Sequence, residues 1–476
     1  MLLSAVLTLV LPAAAVDEVG TYAASTRYVT LLHDDWYLWF QVHYPAASED
    51  DDAEPDLSGG PYPVLLFFHG YLGQAWMYET ACDSLASMGF VVVNMDNETH
   101  PAMDPYLLAE YGVDAMAWVA DESATSGAWL HGMADDREWA VMGHSMGGIA
   151  MAATVDLEPR VSLVTGFAPY RDADYRWDAY ADYDGVALLV GGDRDDTSTA
   201  AVIRTWYDDM DAPARAVWAT VSGAGHQAIT DIEFEEYELS DAEQLASNLD
   251  LAEAFVLAER TLDEDRYDAL VCAPSYALTE VVANAAQPAM SVVAEADDDL
   301  RVGLVGKAGQ DVRIYAGPGP GRGSTPDGVV GLAGPVEVAR VSLAGGAACT
   351  DVALPPELAG IAWIQAVFVD ESRGTFGRIV DVFGTGGAPG DTGADTGDDT
   401  GDEDSGDTQD TDLGDTDAVG GDPVPSDASG CGGCATGGAP SAGVAAALAA
   451  AAIRRRRTDT TENARDVGGR SRYGAA

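Results

Sequence analysis

A glycine-flanked serine sits where an apolar run gives way to a helical one. Residues 140–142 are Ala-Val-Met, residues 143–147 are Gly-His-Ser-Met-Gly, and a helical pattern starts at Met146. Flanking glycines permit a tight strand-to-helix turn, which lifts Ser145 out of a sheet and onto a helix N-terminus. A chain built around this turn needs a sheet whose strands lead into helices. Residues 25–262 supply that alternation. Runs at 28–32 and 36–44 read as an opening hairpin with alternating faces. Residues 63–68, Pro-Val-Leu-Leu-Phe-Phe, form a continuous apolar run, as expected of a strand covered on both faces. The pattern then predicts a helix over 76–87, a strand over 90–93, and a helix over 105–119 with Pro105 in its first turn. It continues with strands at 139–142, 161–166, 186–190 and 216–221. Helices begin at 146 and cover 199–210 and 241–261. Such spacing implies a mostly parallel sheet with helices on both faces.

From 267 to 383 the helical period fades. Short Val-, Ile- and Ala-rich runs are divided by Gly and Pro, which predicts a small β-sandwich. Its glycine-rich loop after Tyr315 precedes no helix, so it does not read as a phosphate cradle. Cys272 and Cys349 both fall near this region and are candidates for a disulfide. Cys82, in the helix over 76–87, reads as a buried free thiol.

Charge excludes whole classes of partner. The 476 residues carry 79 Asp and Glu against 24 Lys and Arg, a formal net charge of -55, and Lys307 is the one lysine. Nucleic acid and anionic lipid both require a basic footprint that this chain lacks. Residues 1–15 are apolar and end in Ala-Ala-Ala, and read as a secretory leader. Residues 386–430, rich in Asp, Gly and Thr, bury too little to offset the entropy of ordering and read as a disordered acidic stalk. Cys431 and Cys434, an Ala-rich run at 443–453, and four arginines at 454–457 follow, then a polar tail at 458–476. This order resembles the C-terminal sorting tags of secreted myxobacterial proteins, and implies processing machinery and retention at the cell surface. No metal or organic cofactor is expected: one CxxC lacks a second ligand pair, and the stalk lacks calcium-loop spacing.

A serine hydroxyl needs a base. His226, in Ser-Gly-Ala-Gly-His after the strand at 216–221, is the one histidine beyond His144. Asp193, Asp195 and Asp196 follow the strand at 186–190 and are the candidate acids. Two backbone N–H groups must meet the developing oxyanion. Met146, after the serine, and Tyr71, in the loop Phe-His-Gly-Tyr-Leu-Gly at 68–73, are the candidates. Tyr71, Trp76, Tyr170 and Trp177 are candidate lining residues, although the position of Trp76 suits a core equally.

At these residues the chain resembles the α/β-hydrolase superfamily, nearest to bacterial cutinases, polyester hydrolases and dienelactone-hydrolase-like proteins. The likeness lies in Gly70-Tyr71, residues 85–93, residues 140–148, Ala168-Pro169 and the spacing of Asp195 and His226. It implies an α/β-hydrolase fold over 25–264 followed by the sandwich and stalk, and cleavage of small or polymeric carboxylic esters by Ser145, Asp195 and His226. It favours Asp195, four residues after Gly191, with Asp196 as runner-up. Polyester hydrolases usually carry Trp after Ala-Pro, where this chain has Tyr170. Two other readings stay open: a peptidase or other acyl hydrolase on the same fold, and an inactive surface-binding or adhesion protein.

Overall fold

Apolar side chains along each central strand alternate between two cores, one on each side of a single sheet. In the strand Tyr62–Phe68, Val64, Leu66 and Phe68 enter one core while Leu65 and Phe67 enter the other. Burial of each such side chain contributes roughly 1.5–3 kcal/mol. This computed structural model describes residues 22–33, 36–171, 182–210, 213–232, 237–261, 264–286, 289–296, 298–369 and 375–382. The expected leader, stalk, sorting segment, polar tail and Trp177 lie outside the described residues.

Among these residues the strands β1 (Ala23–His33), β2 (Trp36–Ala46), β3 (Tyr62–Phe68), β4 (Val91–Met95), β5 (Ala134–His144), β6 (Val161–Phe167), β7 (Val186–Gly192), β8 (Arg215–Val221) and β9 (Leu278–Ala285) form one sheet. Its order is β1-β2-β4-β3-β5-β6-β7-β8-β9. Strands β3 to β8 run parallel, and β1, β2 and β9 complete the edges antiparallel. Helices α2 (Pro105–Ala124), α3 (Gly147–Leu157) and α4 (Ala200–Asp208) cover one face. Helices α1 (Glu79–Ser87) and α5 (Asp241–Thr261) cover the other. Two helix starts follow from their first residues. Asp104 caps α2 by accepting from the Tyr106 N–H at 2.9 Å, ahead of Pro105. Ser240 and Glu243 form a reciprocal capping box at α5. Among the described residues no helix is long and apolar enough to cross a membrane.

The structure departs from the sequence reading in three places. The helix expected over 76–87 is a 3-10 turn, Ala75–Tyr78, followed by α1. Asp231 takes its backbone groups: its N–H donates to the Met77 carbonyl at 2.8 Å, and its carboxylate accepts from the Thr80 N–H at 3.0 Å. β5 begins five residues before 139, because the polar stretch Asp135 to Glu138 continues the strand past a register shift opposite Pro63. The largest departure is β9. It lies beyond the expected division at 264–267, yet it pairs along the whole of β8.

After β9 come α6's neighbours in space. The helix α6 (Asp268–Val271) precedes β9 in the chain, and β10 (Ala289–Ala294), β11 (Asp299–Val305) and β16 (Ala347–Ala353) form a three-stranded sheet. A four-stranded sheet holds β15 (Val336–Leu343), β12 (Gln310–Gly317), β17 (Trp363–Val369) and β18 (Thr375–Asp381), in that order, and β13 (Pro320–Thr325) pairs with β14 (Gly328–Leu332). The two larger sheets share one apolar core, which includes Val302, Leu304, Ile314, Ile364 and Phe368. A disulfide joins Cys272 to Cys349, while Cys82 is buried and free. Ala289 and Val305 are buried in the same cluster as Phe255 and Tyr267, so the strand-rich region is continuous with the α/β core.

Candidate active site

The carboxyl ends of β5, β7 and β8 meet at one edge of the sheet, and each carries a chemically active side chain. β5 ends at His144, and Ser145 follows with φ of +52°, in a region that side-chain-bearing residues rarely adopt. The turn closes only because its flanks are glycines. A Cβ at Gly143 would lie 2.3 Å from the Gly147 carbonyl oxygen, and one at Gly147 would lie 2.3 Å from that of Phe68. The Ser145 N–H is held by the Phe167 carbonyl at 3.1 Å.

Three of the expected residues come together. His226 Nε2 lies 2.9 Å from Ser145 Oγ, and His226 Nδ1 lies 2.8 Å from Asp195 Oδ2. Asp195 Oδ1 accepts from the backbone N–H groups of Thr197 and Ser198, each at 2.8 Å. All three residues are buried. With its carboxylate so occupied, Asp195 acts as an acceptor for the Nδ1–H tautomer, which leaves Nε2 free to accept from the serine hydroxyl. The neighbouring aspartates do other work. Asp193 accepts from the Gly223 N–H at 2.8 Å and ties the β7 and β8 loops together, whereas Asp196 is exposed.

Met146 and Tyr71 flank the serine from two elements. Met146 stands at the start of α3, and among the described residues neither its backbone N–H nor that of Tyr71 has an acceptor. Both amides are thus available to an oxygen carrying developing charge. The Tyr71 ring is exposed, with its hydroxyl donating to the Pro101 carbonyl at 3.2 Å. Trp76 is half exposed and so is not a core residue. Tyr170 is partly buried, and its N–H donates to the Ser145 carbonyl at 2.8 Å.

A second set of polar residues escapes the sequence reading. His144 is fully buried beneath the serine. Its Nε2–H donates to the His226 carbonyl at 2.8 Å, and its Nδ1 accepts from the Tyr78 hydroxyl at 2.9 Å. Tyr78 in turn accepts from the Gly70 N–H at 2.9 Å. Burial, reinforced by the adjacent His226, lowers the His144 pKa to about 3 and keeps the ring neutral. One hydrogen-bonded path therefore runs from the loop carrying Tyr71, through the turn carrying Ser145, to the loop carrying His226. His144 was visible in the pentapeptide as a variable position. Tyr78 gave only the apolar spacing of a core residue, with nothing to mark a partner for its hydroxyl.

A family model, described as PETase, PET hydrolase-like, matches residues 42–289. The chain belongs to the PET hydrolase-like family. No curated protein matches it. Membership in this α/β-hydrolase family accords with the sheet and helices observed and with ester hydrolysis as the general chemistry. The PET hydrolase-like match runs four residues past Ala285, the end of β9, and so takes in the last strand of the sheet.

Proposed function

We propose that this protein is a serine hydrolase cleaving carboxylic esters through an acyl-enzyme, with Ser145 as nucleophile, His226 as general base and acid, and Asp195 as the group orienting the histidine. The observation carrying the reading is the continuous chain from Ser145 Oγ through His226 to Asp195, at 2.9 and 2.8 Å, mounted on a strained turn. His226 Nε2 takes the hydroxyl proton as Oγ attacks the ester carbonyl. The tetrahedral oxyanion receives hydrogen bonds from the Met146 and Tyr71 N–H groups. His226 then passes its proton to the departing alcohol, and the acyl group remains on Ser145. Water, deprotonated by His226, attacks the acyl carbonyl, and collapse of the second tetrahedral species returns the proton to Ser145 and frees the acid.

Tyr71, Trp76 and Tyr170 border the substrate in this reading, and two of these aromatic side chains face solvent, which supports a bulky or polymeric acyl group. Export and retention at the cell surface are part of the proposal and rest on the leader and tail sequences. The test is a panel of p-nitrophenyl esters from acetate to palmitate, with the unaltered chain and Ser145→Ala side by side. Hydrolysis by the first and its absence in the second supports the reading. Equal rates in both sink it.

A further inference from the structure

The β1–β2 hairpin projects past the sheet. β2 pairs with β4 through Phe40 to His43, with Phe40 opposite Met95, so residues 36–39 stand beyond the carboxyl end of β4. That is the edge from which Ser145, Asp195 and His226 emerge. In the hairpin register Thr30 lies opposite Trp39 and Leu32 opposite Tyr37, which puts Tyr28, Leu32, Tyr37 and Trp39 on one face. Their exposures are 52%, 66%, 54% and 42%. The Tyr37 and Trp39 rings stack with 10° between their planes. The opposite face holds the hairpin in place: Leu38 and Phe40 are buried, and Phe40 packs edge-on against Trp118 of α2.

This strip is tied to the site by two residues. Trp39 N–H donates to Asn97 Oδ1 at 2.7 Å, Asn97 Nδ2 donates to the Tyr37 carbonyl at 3.0 Å, and the Asn97 carbonyl lies 2.6 Å from Nε2 of His69, next to Gly70 and Tyr71. Asp96 accepts from the Tyr28 hydroxyl and from the N–H of Ala75, beside Trp76. The aromatic strip and the segments carrying Tyr71 and Trp76 thus hang on adjacent positions. The stacked, exposed Tyr37 and Trp39, with Leu32 opposite Tyr37, form apolar surface of a kind that marks an interaction site.

We propose that the hairpin strip is an adsorption surface for an insoluble, uncharged aromatic polyester, holding the edge of the sheet that carries Ser145 against the polymer face. This rests on the ester-hydrolase reading above. The four side chains carry no charge, and Tyr28, Tyr37 and Trp39 offer flat rings to flat rings. The net charge of -55 opposes both anionic lipid and a second copy of the chain.

The experiment uses the full chain carrying Ser145→Ala, so that adsorption is read without turnover. Depletion from solution onto amorphous poly(ethylene terephthalate) film is compared with and without Leu32→Ser, Tyr37→Ser and Trp39→Ser together. At least a tenfold weaker adsorption is expected. With Ser145 intact, the triple variant should keep kcat/KM on soluble p-nitrophenyl butyrate within twofold. Tyr37→Phe with Trp39→Phe should retain adsorption, and Trp39→Ser alone, checked by thermal melting, should weaken it if the triple variant does not fold. Unchanged adsorption overturns the proposal, as does an equal loss on the soluble ester. A dimer in sedimentation that the triple variant converts to monomer also overturns it, by making the strip a contact between copies. Adsorption without any hydrolysis by the intact chain would instead count against the catalytic reading alone.

Discussion

Asp193, Asp195 and Asp196 are chemically identical and separated by three positions, yet only one faces a histidine. Asp195→Asn should lower kcat by about ten-thousand-fold, because an amide no longer selects the Nδ1–H tautomer. Asp196→Asn, on an exposed side chain, should stay within a few-fold in the same assay. Ser145→Ala should cost on the order of a million-fold, and labelling by a fluorophosphonate should vanish with it. Labelling of any other residue in its place would contradict the assignment. His144 sets a pH dependence of stability. The folded ring stays neutral down to about pH 3, whereas a histidine in the unfolded chain takes a proton near ~6.5. Below that value the unfolded chain binds the extra proton. The contribution is therefore complete above about pH 6.5 and declines as pH falls toward 3, by on the order of a few kcal/mol. Urea midpoints between pH 7 and 4 should fall less steeply for His144→Gln than for the unaltered chain.

The strand-turn-helix that presents Ser145 tolerates little change. Gly147→Ala would drive a Cβ against two backbone carbonyl oxygens, of Phe68 and His69, and should destabilise by on the order of a few kcal/mol, seen as a lowered Tm and lost ester turnover. Ser240→Ala removes one half of the α5 capping box and should cost about 1 kcal/mol, lowering Tm without altering kcat. These elements were legible in the sequence for a simple reason. Continuous apolar runs such as 63–68 and glycine-flanked turns such as 143–147 are dictated by local sterics and burial. The rest was not. β9 reads Leu-Thr-Glu-Val-Val-Ala-Asn-Ala, with three polar residues in eight because it is an edge strand, and its partner β8 lies more than fifty residues earlier. Asn97, which braces the hairpin and touches the His69 ring, carries no local signal of its contacts. Asp195 was separable from Asp196 in the sequence only through likeness to known hydrolases. In three dimensions burial and two backbone N–H donors separate them.

The catalytic half and the strand-rich half are joined more closely than a division near 264 suggests. A chain truncated after Glu264 loses β9, bares the outer edge of β8 and removes Tyr267 from against Phe255. It should aggregate rather than remain a folded monomer, and size exclusion with circular dichroism checks this. A soluble, active monomer of that length would show that β9 is dispensable. The arrangement of the sheet has a consequence in time. Apart from the exchange of β3 and β4, the strands occur across the sheet in the order in which they occur along the chain. Synthesis delivers the chain from its N-terminus, so every strand from β5 to β9 emerges when the edge it will join already exists. The nascent chain therefore acquires Ser145 before Asp195, and Asp195 before His226. β9 arrives some fifty residues later, when all three are already out of the ribosome, and seals the growing edge.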